Sequence, residues 1–256
     1  MLNQGKAVAM NTFRETVRDR IFYIVGIFGL ILIGSSAVLS PLTIGAQGKI
    51  VADVGLSSMS LFGLLVVLLV GSSMLRKELE KRTLTTILTK PITRGQYLCG
   101  KFCGLTVTLL CMLLVMSLVF LVIMLVCRVT PHPRFLAAFY LTFLELTLIN
   151  AAVVLFSTFV SPTLAAVFTL CLFVIGHLSE SVMNFGLVMG SAWQAQISKI
   201  VYYLIPNLEV FNIRGAVVHG QPVAFSHLIL ATLYCLVYVL LFMLLASVIF
   251  ARKELR

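Results

Sequence analysis

Long apolar stretches separated by polar intervals make up most of this chain. A transmembrane helix needs about 20 mostly apolar residues, because each residue rises about 1.5 Å across a hydrocarbon core about 30 Å thick. Six stretches have that length, and they cover approximately residues 21–40, 54–75, 102–127, 135–160, 163–182 and 225–250. The pattern therefore predicts an all-α integral membrane protein, one domain over residues 1–256, with six transmembrane helices.

Residues 1–20 carry a different pattern, with an apolar stripe beside basic and polar positions. Met10, Phe13, Val17 and Ile21 recur at three- and four-residue spacing, which places them on one face of a helix. A helix of this kind rests its apolar face in the headgroup region of a membrane. We predict an amphipathic interfacial helix before the first span, with a frayed polar tail as the alternative.

The segment before the last span, residues 183–224, mixes aromatic and polar side chains, among them Trp193, Tyr202 and Tyr203. Aromatic residues of this kind are typical of the membrane–water interface. We expect short helices lying on or dipping into the membrane surface, and no separate domain.

Composition and charge fit a membrane environment. The chain is 60% hydrophobic and only 11% charged, whereas a soluble domain carries about 25% charged residues. The net charge of +10 would suit nucleic acid, but the basic residues stand at the ends of apolar runs, where topology and anionic lipid headgroups account for them. Cys99 and Cys103 are four residues apart, and two soft ligands alone are a weak metal signal. We therefore expect membrane lipid as a partner, no nucleic acid and no metal site.

The longest polar interval, residues 76–101, fixes the predicted orientation. It contains seven of the nineteen Lys and Arg residues, and with six spans its side of the membrane carries fourteen of them. Basic residues concentrate on the cytoplasmic side, so this loop and both termini are predicted to be cytoplasmic. We expect Pro91 to end one helix and Thr93 to cap a second one that runs into the third span. We interpret this loop as a docking surface; a solvated connector that only sets topology is the alternative.

Two ionisable residues fall inside apolar runs. Glu145 and His177 each lie sixteen residues from the turn at position 161, which is about 24 Å along each helix, so an antiparallel pair of helices places them at one depth. A buried ion usually has a partner. Our hypothesis is that the two side chains hydrogen-bond or face one polar path, with Glu180 near the outer interface. Separate partners, such as Thr142 or Asn150, are the alternative.

The loop sequence KELEKRTLTTILTKPITRGQYLCGKFCG resembles the cytoplasmic loop of type-2 ATP-binding-cassette (ABC) transporter permeases. It is most similar to the branch for multi-copper enzyme maturation, which includes the nitrous-oxide-reductase accessory permease. The opening NTFRETVRDRIFY also resembles the amphipathic helix of this branch. The family's loop pattern falls on Glu80, Arg82, Thr83, Ile87, Leu88, Pro91, Ile92, Thr93, Arg94, Tyr97, Gly100 and Lys101.

The resemblance implies that the loop forms a coupling helix, which sits in a cleft of the ATPase. The residues to which it gives an ATPase-coupling role are Glu78, Glu80, Arg82, Thr83, Pro91, Arg94, Tyr97 and Lys101. The sequence has no G-x-x-x-x-G-K-S/T phosphate loop, so ATP and Mg are expected on a separate ABC ATPase subunit, with no cofactor in this chain. The resemblance also implies a second permease chain, as a homo- or heterodimer, in a bacterial or archaeal cytoplasmic membrane.

Two classes of function follow from these residues. In the first, the chain is a permease without an ATPase site of its own, and Glu145, His177 and Glu180 line the path of an unidentified substrate. In the second, the same three residues bind a metal ion and activate water as an intramembrane enzyme, although no H-E-x-x-H pair is present. A structural membrane subunit of another complex is a third possibility.

Overall fold

The computed structural model describes residues 2–39, 47–74, 94–130, 132–179, 193, 196 and 205–252. The secondary structure of these residues is helical and contains no strands, which confirms the all-α prediction. The helices are α1 (Leu2–Arg18), α2 (Arg20–Leu39), α3 (Gln47–Val66), α4 (Arg94–Val126), α5 (Arg134–Ser157), α6 (Pro162–His177), α7 (Arg214–Val218) and α8 (Phe225–Arg252).

Within the described residues, four helical stretches are long and apolar enough to cross a membrane. They are Gly48–Met74, Gly95–Val126, Arg134–Ser157 and Phe225–Arg252. The shorter apolar helices Phe22–Ser36 and Pro162–His177 correspond to the first and fifth predicted spans. A multi-pass membrane protein is therefore confirmed, while the number of six spans stays a prediction.

The predicted start of the second span is wrong by about two turns, whereas the predicted start of the helix that contains the third span is confirmed. The second span was expected from residue 54, but α3 begins at Gln47, because Lys49 and Asp53 lie on its exposed side while Val51 and Ala52 are buried. The third span was expected from residue 102, within a helix that Thr93 caps, and α4 accordingly begins at Arg94 and runs without a break to Val126. Its polar first turns extend the apolar helix toward the predicted cytoplasmic loop.

The π-helical turn Val67–Gly71 continues α3. Turns of this type are rare insertions in α-helices. This one lies against α5: a Cβ added at Gly71 would come within 2.9 Å of Val153 Cγ1. The absence of a side chain at Gly71 therefore lets the two helices approach closely.

Helix α1 packs along the first turns of α4. A Cβ added at Gly100 would lie 2.7 Å from Val8 Cβ, and one added at Gly104 would lie 2.5 Å from Thr12 Cβ. Small residues four apart allow this close approach of two helices. Between the two glycines, the buried Lys101 places Nζ 3.6 Å from Glu15 Oε2. We call this contact of α1 with Gly100, Lys101 and Gly104 the α1–α4 clasp.

Helix α5 is the centre of the bundle, in contact with α3, α4, α6 and α8. Asn150 holds it to α4 by donating hydrogen bonds from Nδ2 to Phe102 O (3.1 Å) and Thr106 Oγ1 (2.9 Å). Tyr140 and Thr232 join it to α8 through a hydroxyl–hydroxyl hydrogen bond of 2.8 Å. The polar residues of α5 thus fix its neighbours, and its Glu145 lies deep in the bundle.

The described part of the segment before α8 contains two short helical turns, Glu209–Phe211 and Arg214–Val218. The short helices expected there are confirmed. Of the aromatic residues used for that prediction, Trp193 is exposed, while Tyr202 and Tyr203 lie outside the described residues.

Candidate functional site

Glu145 and His177 meet between α5 and α6. Glu145 Oε1 lies 3.4 Å from His177 Nε2, with side-chain exposures of 2% and 19%. The proximity expected from their equal distance to the turn is confirmed. Asn150, offered as an alternative partner, instead binds α4.

A third side chain joins this pair from α3. Ser60 Oγ donates a hydrogen bond of 3.4 Å to the same carboxylate oxygen, Glu145 Oε1. Ser60 is itself buried. We call Ser60, Glu145 and His177 the buried polar site; it joins three helices at one carboxylate.

The orientation of the imidazole follows from its other contacts. His177 Nδ1 lies 3.1 Å from Phe173 O, and its ring lies on the Phe173 ring with centroids 4.4 Å apart. These contacts turn Nε2 so that, within the described part of the chain, it makes no hydrogen bond. His177 Nε2 and Glu145 Oε1 are therefore close enough for an ion pair, but they are not aligned for the hydrogen bond that we predicted.

These contacts constrain the protons of the site. A carbonyl oxygen only accepts hydrogen bonds, so His177 Nδ1 carries the hydrogen in its contact with Phe173 O. In the neutral ring Nε2 is then a lone-pair acceptor facing a carboxyl oxygen, and two acceptors repel each other. The contact is favourable when one proton lies on either Nε2 or the Glu145 carboxyl group. The contact is thus stabilised when the pair holds one proton, on one of its two groups.

The segment before α8 closes the site on one side. A Cβ added at Gly176 would come within 2.7 Å of Leu208 Cγ, and Leu208 N donates a hydrogen bond of 3.0 Å to Gly176 O. The segment also brings two charges, Glu209 and Arg214, which act electrostatically on Glu145 and His177. Arg214 Nη1 is 3.4 Å from Ser57 Oγ, so the segment also binds α3.

Sequence reasoning missed Ser60, Arg214 and Gly176 as parts of this region. A signal for Ser60 was present, because three serines stand close together at positions 57, 58 and 60 inside an apolar run. No local signal connected Arg214 with Glu145, since the chain between them is long, and none indicated that Gly176 contacts Leu208.

The coupling residues predicted in the loop fall mostly outside the described residues. That applies to Glu78, Glu80, Arg82, Thr83 and Pro91, and to Glu180 of the predicted path. Arg94 is the first residue of α4, and Thr93, its predicted cap, is also outside.

Tyr97 and Lys101, the last two predicted coupling residues, are buried, at 2% and 1% exposure. The Lys101 ammonium lies 5.9 Å from the centre of the Tyr97 ring. Tyr97 stacks on Phe250 of α8, with centroids 6.3 Å apart. Both side chains thus contact other helices of this chain.

The alternative function, an intramembrane metal-dependent enzyme, requires Glu145, His177 and Glu180 to lie close together. Among the residues that the structure describes, no group of three or more His, Cys, Asp and Glu side chains is placed to hold a metal ion. Glu145 and His177 supply two candidate ligands, and Glu180 lies outside the described part.

The sequence matches a family model described as ABC-2 family transporter protein over residues 6–255. No curated protein matches it. The family match begins within α1 and covers α2 to α8 in full, so it includes the buried polar site.

Proposed function

This chain belongs to the ABC-2 transporter family, and from that premise we propose that it is the permease that moves an unidentified substrate across the membrane. A separate subunit would hydrolyse ATP, and two permease chains would alternately expose a path between them. A partner can drive such a change only by binding the two states with different free energies. The family supports a membrane component of a transporter rather than an independent enzyme.

The observation that carries this proposal is the family match over 250 of the 256 residues, from 6 to 255, on a bundle of apolar helices. The outward faces of α2, α4 and α8 expose large apolar side chains, for example Ile31, Leu118 and Leu230. Exposed apolar surface of this extent is stable in lipid and unfavourable in water. Both observations favour a transporter subunit over the other classes.

We propose that residues 76–101 couple this chain to the ATPase. Its last turns belong to α4, where Lys101 and Tyr97 contact α1 and α8 rather than solvent. In this proposal, side chains earlier in the loop touch the ATPase. Tyr97 and Lys101 then pass the displacement of the loop to α1, α4 and α8 together.

We propose that the buried polar site lies on the translocation path of the substrate. Ionisable residues at membrane depth are costly, and they commonly mark substrate or proton pathways. Glu145 and His177 fit this description, because they are buried between apolar helices and can share a proton. The remaining proposals are a bacterial or archaeal cytoplasmic membrane, cytoplasmic termini and the multi-copper enzyme maturation branch; all rest on the sequence.

The first experiment is a detergent pull-down with this chain as bait. The test variant replaces Glu80, Arg82 and Arg94 with Ala. The matched control replaces Lys49, Asp53 and Arg128 with Ala, which removes the same charges from exposed positions at the other predicted side. We expect an ATP-binding subunit with wild type and control, and its loss from the test variant while membrane insertion is unchanged.

Two outcomes would count against the proposal. If no ATP-binding subunit were captured under mild conditions, the proposal that this chain forms a complex with an ATPase would be contradicted. If the test variant and wild type captured equal amounts of the ATP-binding subunit, the transporter proposal would stand, but the contact with the ATPase would lie outside this loop.

A further inference from the structure

An apolar groove lies where α1, α2 and α4 meet. Its volume is about 330 Å³, at the lower end of the range of about 300 to 1,000 Å³ for ligand pockets. The residues that line it include Phe13 and Val17 of α1, Phe22 and Gly26 of α2, and Met112 and Met116 of α4. It is separate from the buried polar site, which lies between α3, α5 and α6.

The rim of the groove is apolar and open to the surroundings. Tyr23, Ile27 and Val115 line it and are 53%, 55% and 56% exposed. They are continuous with the exposed apolar faces of α2 and α4. A groove opening on such a face is accessible from the hydrocarbon region of the bilayer, where an acyl chain is the available apolar ligand.

Three basic residues stand next to, or two positions from, groove-lining residues in the chain. Arg14 and Arg18 each follow a groove-lining residue by one position, and Arg20 begins α2 two positions before Phe22; all three arginines are exposed. Of the acidic residues nearby, Glu15 faces Lys101 across the α1–α4 clasp, and Asp19 lies at the break between α1 and α2. The local charge therefore remains positive.

We propose that this groove binds one anionic phospholipid of the surrounding membrane. One acyl chain lies in the groove, and its phosphate lies among Arg14, Arg18 and Arg20. Basic residues near a bilayer surface attract anionic lipids, and the groove gives that attraction a fixed place. A second copy of the chain fits less well, because it would bring further arginines toward these three. The bound lipid would fill the junction of α1 and α2 beside the α1–α4 clasp.

Two variants test the two halves of the site. Gly26→Leu puts a side chain into the groove, and a Cβ there meets no atom within 4 Å. Gly34→Leu is its control, because Gly34 is on the same helix, is equally open and does not line the groove. The triple variant R14Q/R18Q/R20Q removes the headgroup contacts. Its control, K49Q/R128Q/R252Q, removes three exposed basic residues elsewhere.

The measurement is native mass spectrometry of the purified full-length chain with equal amounts of phosphatidylglycerol and phosphatidylcholine. We expect one tightly retained phosphatidylglycerol per wild-type chain, retained also by both controls. The arginine variant should bind it on the order of 10- to 100-fold more weakly, as expected from three basic residues near a bilayer surface. Gly26→Leu should weaken it about tenfold. Soluble glycerophosphoglycerol should not compete at matched concentration.

Several outcomes would overturn the proposal. Equal retention of phosphatidylglycerol and phosphatidylcholine would show that the negative charge of the headgroup does not contribute to binding. If Gly26→Leu retained phosphatidylglycerol at the wild-type level, the acyl chain would not lie in the groove. Competition by soluble glycerophosphoglycerol would mean the same, because the arginines alone would then account for binding. Dissociation of a dimer by Gly26→Leu, with lipid unchanged, would make the groove a contact between two copies. None of these outcomes depends on transport, so the proposed function stands or falls separately.

Discussion

The Lys101–Glu15 pair and the Glu145–His177 pair share one layout, since in each a buried side chain meets a less buried partner. Side-chain exposures are 1% and 38% in the first pair and 2% and 19% in the second. The distances between the nitrogen and oxygen atoms of the two pairs are 3.6 and 3.4 Å. Burial and distance alone therefore do not distinguish them.

The two pairs differ in their chemistry and in their surroundings. An ammonium and a carboxylate attract each other as opposite charges, and Lys101 is fixed between two glycines packed against α1. An imidazole and a carboxyl group can instead share one proton, and histidine is the side chain that most readily changes charge near neutral pH. The first pair is thus suited to hold two helices together. The second is suited to change state.

The largest expected effect is on activity, at the Glu145–His177 pair. Glu145→Gln keeps the shape and supplies a fixed N–H donor to His177 Nε2, so it imitates the protonated acid permanently. We expect ATP turnover by the complex with its ATPase to fall at least about tenfold, an effect of about 1.4 kcal/mol or more. The melting temperature should stay close to that of wild type.

Asn150→Leu is the control for this prediction. It removes buried hydrogen bonds from the same helix and leaves Glu145 in place, so we expect lower thermal stability and near-normal turnover at low temperature. Wild-type turnover in Glu145→Gln would show that the pair, like the clasp, only holds helices together.

The next effect is on stability, at the α1–α4 clasp. Gly104→Val places a Cβ about 2.5 Å from Thr12 Cβ and 2.7 Å from Ala9 O, so α1 must move. Overpacking of this kind costs about 1 to 3 kcal/mol. We expect a lower midpoint in a thermal unfolding assay and faster maleimide labelling of Cys103, which lines the space between α1 and α4.

The matched control is Gly95→Val, which makes the same change on the same helix at a position where a Cβ meets no atom within 4 Å. If both variants unfold at the same temperature, the clasp does not depend on the glycine contact.

The smallest effect separates the two partners of the clasp. Glu15→Gln removes a carboxylate from beside the buried Lys101 ammonium, at a cost of about 1 kcal/mol, since Glu15 is more than a third exposed and the charge is screened. Lys101→Met keeps an unbranched apolar stem in the buried space, and we expect a smaller loss, because an apolar replacement of a buried ion is often nearly neutral. Chemical denaturation in detergent measures both.

In the Lys101→Met background, Glu15→Gln should have no further effect. If Glu15→Gln lowered the stability equally in the wild-type and Lys101→Met backgrounds, the two side chains would not interact. The Lys101–Glu15 pair would then not hold α1 and α4 together.

The pattern of apolar runs was enough to assign the class of the fold. The number and length of apolar runs predict helices in lipid because every backbone polar group there needs an internal partner. The three- and four-residue spacing of Met10, Phe13 and Val17 predicted α1. The meeting of Glu145 and His177 was also predictable, because two helices joined by a short turn run antiparallel and bring equally distant residues together.

Which faces of these helices meet depends on how the whole bundle packs. The serines at 57, 58 and 60 mark a polar stretch of α3, but the sequence does not show which of them faces Glu145. Burial of Lys101 likewise depends on α1 folding back onto α4, a contact between segments far apart in the chain. The polar spacing of α1 showed that it is amphipathic, but the close fit to Gly100 and Gly104 exists only where the two helices pack.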